Sequence, residues 1–266
     1  MTSLSVRELN VYPVKSCRGI PLGSARLDRW GIEHDRSWMV VDGADQFISQ
    51  RTQPRLALVE PALGADRLTL RAPGMEPLEL PPTGRAGTER EVVVWDDRCR
   101  ALDQGELAAD WFSRYLGVTA RLVRIGSAFE RAVDPTYFPE GAEVGFADAY
   151  PLLVLSDASL AELNARLPEP LPMNRFRPNL VVTGCGPFAE DGWKRVRVGE
   201  VTLRIVKPCK RCVTTTVDQG TAEQGKEPLA TLATFRRDGD GVLFGQNAVH
   251  QGPGRIRVGD AVQVLG

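Results

Sequence analysis

One stretch, Lys207 to Thr221, reads KPCKRCVTTTVDQGT and sets two thiols three residues apart among basic side chains, ahead of a β-branched run. Three chemistries suit that spacing: a dithiol redox switch, half of a zinc site, or one thiolate ligand to something larger. A redox C-x-x-C sits where a strand gives way to a helix, whose N-terminal dipole helps activate the nucleophile. Cys209 and Cys212 lead instead into Val213, Thr214, Thr215, Thr216 and Val217, a run that favours a strand. A closed zinc site needs four ligands; Cys17, Cys99 and Cys185 stand singly, and His34 and His250 are far apart in the sequence. Free cysteine is most often a small buried hydrophobe, but alternation sets one of the pair apart. In a strand entering near Lys210, Cys212 points with Lys210 and Thr214 and away from Arg211 and Val213. Lys207, Lys210 and Arg211 then surround that sulfur with positive charge, which favours a thiolate. A thiolate beside cations is a soft-metal ligand or a nucleophile. With neither histidine placed beside it as a base, the ligand reading leads.

Other cations gather where strands end. YPVKSCRGI, Tyr12 to Ile20, closes the first strand with Lys15 and Ser16; HDRSWMV opens another at Arg36; NRFRPNLVV brings Arg175, Arg177 and Asn179 to a third. Each alone reads as a solvated surface charge. Together they match what a large anionic cofactor requires, with Lys and Arg for a phosphate and an amide for the edge of a heterocycle.

The elements that must position these residues are mostly strands. Apolar and polar residues alternate over Ser5 to Val11, Ser37 to Val41, Arg67 to Arg71, Glu91 to Trp95, Ala120 to Ile125, Arg195 to Ile205 and Arg255 to Leu265. Val198-Gly199-Glu200-Val201 and Val258-Gly259-Asp260-Ala261 read as hairpin turns, which favour antiparallel pairing. Three helices stand out. Asp103 to Leu116 has Asp103 as N-cap and Glu106 three residues later, and Gly117 stops it. A second starts at Ser156 or Asp157 and ends before Pro168; a third runs from Pro228 to about Arg236. The fold class this predicts is mainly β (α+β), two antiparallel β-barrel-like domains braced by a few helices, residues 1–116 and 117–266. The long segment GSAFERAVDPTYFPEGAEVGFADAYP, from Gly126, reads as a packed surface loop in preference to an active-site lid.

Bulk composition narrows the function classes. Lys and Arg total 33 against 34 Asp and Glu, so no net field recruits nucleic acid or acidic lipid, and an anionic partner has to be held by a local cluster. The opening MTSLSVRELN lacks the charged and apolar regions of a signal peptide, and nowhere do about 18 apolar residues run together as a membrane span would need. Sparse, odd-numbered cysteine then points to reduced thiols in a cytoplasm.

The ordered series YPVKS, DRSWMVVD, QRTQPRLALV, LLVLSDASLAELN, NRFRPN, PCKRCVTTTVD and FGQN resembles the MOSC-domain proteins with an N-terminal β-barrel domain, a group that includes the mitochondrial amidoxime-reducing components and their bacterial relatives. The resemblance covers nearly the whole chain, and R-C-x-x-T-T-V-D is its most specific part. It implies a molybdenum cofactor, Mo-molybdopterin, with Cys212 and not Cys209 as the protein ligand to the metal. By the same carry-over Lys15, Ser16, Arg36, Ser156, Arg177, Asn179, Lys210, Arg211 and Asn247 fall at cofactor-contacting positions. Pyridoxal phosphate binding is also associated with MOSC domains. The implied activity is reduction of N-hydroxylated compounds to the N–H form. The chain carries neither the targeting and membrane segment of the mitochondrial members nor the ferredoxin-like domain of some bacterial ones, so a cytoplasmic protein is expected. Its electrons are expected from a separate carrier such as a ferredoxin, a flavodoxin or a cytochrome b5-like protein with its reductase. Asp148, Asp218 and metal-bound water remain open as proton donor. A carrier that holds the cofactor, or sulfur on Cys212, without turnover is the rival reading.

Overall fold

The computed structural model describes residues 3–64, 67–81, 87–138 and 140–266. Strands dominate, as the period-two alternation predicts, with three α-helices among the described residues: α1 Glu106–Leu116, α2 Asp157–Asn164 and α3 Leu229–Phe235. The largest sheet there has nine strands and wraps as half of a barrel. Eight lie in the order Val262–Val264, Arg195–Val198, Val201–Arg211, Gly241–Gln251, Leu152–Ser156, Leu180–Thr183, Ser5–Val11, Ile20–Leu22, while Arg237–Asp238 pairs off that path with Gly241–Gln251. One neighbouring pair, Leu152–Ser156 and Leu180–Thr183, is parallel. α2 begins where the first of them ends and supplies the crossover that a parallel pair needs.

Among the described residues, three smaller sheets build the rest: Trp38–Asp42, Ala120–Ile125, Asp97–Asp103 and Glu89–Val94 in that order; Gly254–Arg257, Ser24–Asp28 and Gly31–Ile32; and Glu60–Leu63 with Leu68–Arg71 and Leu78–Leu80. α1 covers a core of Trp38, Leu56, Leu68, Trp111, Phe112 and Tyr115. The chain crosses Gly117 in both directions. Ala120–Ile125 lies between Trp38–Asp42 and Asp97–Asp103, and Ser5–Val11 is an inner strand of the sheet built mostly from residues after 150.

Three local expectations need correction. α1 starts at Glu106 with Gly105 as N-cap at φ 87°, so Asp103 is not its cap; its carboxylate accepts from the Gly105 N–H at 2.8 Å and pairs with Arg121 and Arg90. Val198-Gly199-Glu200-Val201 is a hairpin, but Val258-Gly259-Asp260-Ala261 is not: Gly254–Arg257 pairs with Ser24–Asp28, while Val262–Val264 pairs with Arg195–Val198. Val213–Thr216 is a 3-10 turn and not a strand. The Thr215 and Thr216 hydroxyls donate back to the carbonyls of Cys212 and Val213 at 2.9 and 2.8 Å, a local alternative that threonine offers in competition with a sheet ladder. The segment from Gly126 packs Phe129, Phe138, Val144, Phe146 and Tyr150 inward, with Pro139 outside the described residues.

Candidate functional site

The strand Val201–Arg211 delivers the thiols. Its register against Gly241–Gln251 slips twice, between Ile205 and Lys207 and between Pro208 and Lys210. Such bulges bend a strand and re-aim its side chains, and Pro208, which cannot donate to a ladder, sits at the second. Gly245 faces it at φ 82°, where a Cβ would come within 2.7 Å of Leu155 Cδ1 and 3.0 Å of the Val154 carbonyl, so no side chain fits there. The strand ends at Arg211, and Cys212 begins the threonine turn with its sulfur in a cleft.

From the other side the segments at Lys15 and Arg36 are zipped together by backbone bonds, Arg36 N to Tyr12 O, Trp38 N to Pro13 O and Lys15 N to Trp38 O. Ser16, Arg36 and Arg177 all hold left-handed backbone, at φ 70°, 45° and 56°. Non-glycine residues adopt that region at a cost and concentrate at functional sites. Tyr12 anchors two of the cations: the guanidinium carbons of Arg36 and Arg177 each lie 4.3 Å from its ring centroid, and its hydroxyl donates to Pro178 O.

Lys15, Ser16, Arg36, Arg177, Asn179, Lys210, Arg211, Asn247 and Cys212 all line this one cleft, together with Arg51, Asp148, Tyr150 and Cys209. Ser156 does not line it. Its side chain is buried as the N-cap of α2, accepting from Ser159 N at 3.0 Å, and its backbone N–H donates to Glu190. Asn179 spends its amide within the protein, accepting from Arg36 and from Leu153 N and donating to Asn10 O, so it orients Arg36. The sequence-adjacent cations do not meet Cys212 as alternation suggests. The Lys210 ammonium pairs with Asp240, Lys207 lies 3.9 Å over the Tyr137 ring, and Arg211 donates to Cys209 Sγ at 3.0 Å and to Phe176 O at 2.7 Å. The cation on the Cys212 sulfur is Arg51, whose Nη2 lies 3.1 Å from Sγ. No local spacing signals that contact, since 161 residues separate the two.

The electrostatics are those of an anion site with built-in opposition. Lys15 is buried, donates to Phe146 O at 2.8 Å and pairs with Asp148, which also faces Arg51 at 3.4 Å. Burial alone would raise the Asp148 carboxyl, but the Lys15 and Arg51 charges outweigh it and hold the group well below the usual carboxylate range. The Asp218 carboxyl is also held low, chiefly by the backbone N–H of Gly220 and then that of Thr221, despite some opposing burial. Both carboxyls are thus biased toward the ionised form. Burial, reinforced by the neighbouring Arg36 charge, pushes Arg177 down to about 10. Among the described residues, buried donors without a protein partner occur on three that line the cleft, Arg177 Nη2, Arg211 Nε and the Tyr150 hydroxyl. Such groups cost free energy unless a ligand satisfies them. A polyanionic cofactor with a soft metal therefore suits the set, cations and orphaned N–H groups for its charge and a sulfur for the metal.

Comparison with known proteins finds relatives along nearly the whole chain. Residues 3–119 match the MOSC N-terminal beta barrel domain and residues 141–263 the MOSC domain. Human mitochondrial amidoxime-reducing component 1 is 36% identical over 284 residues, covering 98% of this chain and 83% of that protein. Its Mus musculus counterpart is 37% identical, covering 98% and 82%. Among solved structures, the YUAD protein from Bacillus subtilis aligns with 98% of this chain and 94% of its own, at 13% identity and a TM-score of 0.45. With 36% and 37% identity to two amidoxime-reducing components over 98% of its length, and with both domain matches, the chain belongs to the MOSC-domain family of the mitochondrial amidoxime-reducing components.

Proposed function

We propose that this chain is a molybdenum-cofactor-dependent oxidoreductase that reduces N-hydroxylated compounds, amidoximes and hydroxylamines among them, to the N–H form. The observation that carries the reading is the Cys212 sulfur, held by Arg51 in a cleft whose Lys15, Arg36, Arg177 and Arg211 side chains supply positive charge. Bound cofactor would supply the two-electron cleavage of the N–O bond, with two protons taken up and the oxygen leaving as water. Cys212 would hold the metal. Arg36 and Arg177, fixed on Tyr12, and Arg211, fixed on Phe176 O, would grip the anionic pterin, with Lys15, Ser16 and Asn247 beside them. Asp148, placed between Lys15 and Arg51, keeps both cations in place. Electrons would come from a separate protein, a ferredoxin, flavodoxin or cytochrome b5-like carrier.

The deciding experiment pairs elemental analysis with turnover. Protein from a cofactor-producing host is assayed with an artificial electron donor and an amidoxime. Cys212→Ser is expected to lose both molybdenum and reduction, and Cys209→Ser to keep both. Wild-type protein that holds molybdenum and turns nothing over is a carrier, and the enzyme reading fails.

A further inference from the structure

Arg51 makes the one charged side-chain contact to Cys212 Sγ among the described residues, and the fold invests several devices in aiming it. Its neighbour Gln50 is fully buried and exchanges amide hydrogen bonds with Gln219 at 3.2 and 3.0 Å, while also donating to Ser16 O at 2.6 Å. That pair ties the Arg51 backbone to the strand end carrying Lys15 and to the segment just after the cysteine turn. The guanidinium itself lies 4.5 Å over the Trp95 indole, and Nη2 reaches Asp148 Oδ2 at 3.4 Å and Cys212 Sγ at 3.1 Å. Trp95 is held in turn against Phe47, ring centroids 5.0 Å apart, at φ 58°. A planar group stacked on an indole, with one N–H of Nη2 toward a carboxylate, has the second N–H of that nitrogen directed at one point. That point is the sulfur.

A charged N–H on a metal-ligating sulfur withdraws electron density from it and weakens its donation to the metal. Hydrogen bonds to ligand sulfur are an established means by which a protein sets a reduction potential, raising it as donation falls. We propose that Arg51 is a positioning residue that orients the Cys212 sulfur and sets the reduction potential of the metal it holds, with Trp95 as the surface that aims it. This rests on the molybdenum reading above.

The test is an EPR-monitored redox titration of the bound molybdenum in wild type, Arg51→Gln, Arg51→Lys and Trp95→Leu, with molybdenum per chain measured on the same samples. Arg51→Gln is expected to move the potential negative, Arg51→Lys to recover part of the shift, and Trp95→Leu to shift it the same way by less. An Arg51→Gln protein with wild-type metal content and an unmoved potential overturns the proposal. Should Arg51→Gln fail to retain metal, Trp95→Leu decides, because it keeps the charge and removes the surface that directs it; an unmoved potential there also overturns it. Molybdenum absent from wild type would sink the functional reading and this inference together, whereas molybdenum present with no shift in either variant sinks this inference alone.

Discussion

Arg177 shows at the scale of one residue how a binding site can oppose the stability of its own scaffold. It is buried, holds left-handed backbone at φ 56°, and leaves Nη2 without a partner. Its folded pKa, about 10, lies below the value of a free guanidinium. The unfolded chain therefore binds that proton more readily, so the cost of the charge is fully present below pH 10 and falls away only as pH rises above it. Arg177→Met keeps the packing length against Tyr12 and removes the unsatisfied donor. In cofactor-free protein it is expected to raise stability by about 1–3 kcal/mol, read as a higher Tm, while molybdenum content after expression in a cofactor-producing host falls. A lower Tm for the cofactor-free variant would show that Arg177 serves packing more than ligand. Legibility from sequence follows the same local logic. Lys15, Arg36, Arg177 and Cys212 sit in short motifs at strand ends, where a cation or thiol has few structural duties, and they line one cleft. Arg51 was not legible as the partner of Cys212 because the contact is set by a distant turn, Trp95 and the Gln50–Gln219 pair, none adjacent to it in the sequence except Gln50. Ser156 lies outside the cleft lining, where its hydroxyl serves as the cap of α2, a second duty the same sequence position also suggested.

Among the elements, alternation located strands well, and cap and proline signals located the starts of α2 and α3 but not that of α1. Ser5–Val11 and Ala120–Ile125 agree to the residue with their period-two runs. Ser5–Val11 packs Val6, Leu9 and Val11 in one core, and Ala120–Ile125 packs Ala120 and Leu122 in one core and Val123 and Ile125 in another; burial of a face fixes register. The threonine run fails as a strand because its side chains can satisfy the backbone locally, and that turn is what ends the strand before Cys212. Asp103 fails as a cap for an electrostatic reason. It ends the strand Asp97–Asp103 and accepts from Arg121 Nε and Nη2 and from Arg90 Nε, as well as from Gly105 N. Burial would raise its carboxyl, but Arg121 and the Gly105 N–H outweigh that and hold it below the usual range. A depressed carboxyl contributes stability that is fully present above its unfolded pKa, about 3.9, and is lost as pH falls through the lower folded value. Asp103→Asn is therefore expected to cost about 2 kcal/mol at pH 7 in urea unfolding, with the gap to wild type closing as the pH is lowered below about 4. A gap that persists unchanged at low pH would assign Asp103 a packing role with no ionic component.

For the whole molecule, the sheets and not the sequence boundary decide what can fold alone. Cutting after residue 116 would remove Ala120–Ile125 from between Trp38–Asp42 and Asp97–Asp103, leaving the first fragment with a broken sheet. The second fragment would lose Ser5–Val11 from beside Leu180–Thr183 and Ser24–Asp28 from beside Gly254–Arg257. Its core would open as well, because Val6, Leu9, Val11, Ala25, Leu27 and Ile32 pack in one cluster with Val154, Leu180, Val182 and Ile256. Exposed edges of long apolar strands pair with other chains. The cleft depends on the same interweaving, since Lys15, Arg36 and Arg51 come from one side of the cut and Arg177, Arg211 and Cys212 from the other. Residues 117–266 expressed alone are therefore expected to aggregate or to lack a cooperative melt by circular dichroism. The full chain is expected to unfold in a single transition, with calorimetric and van't Hoff enthalpies agreeing. A monomeric, cooperatively melting 117–266 fragment would show that the second half carries its own core, and the shared sheet would then be a docking of two finished domains in place of one fold.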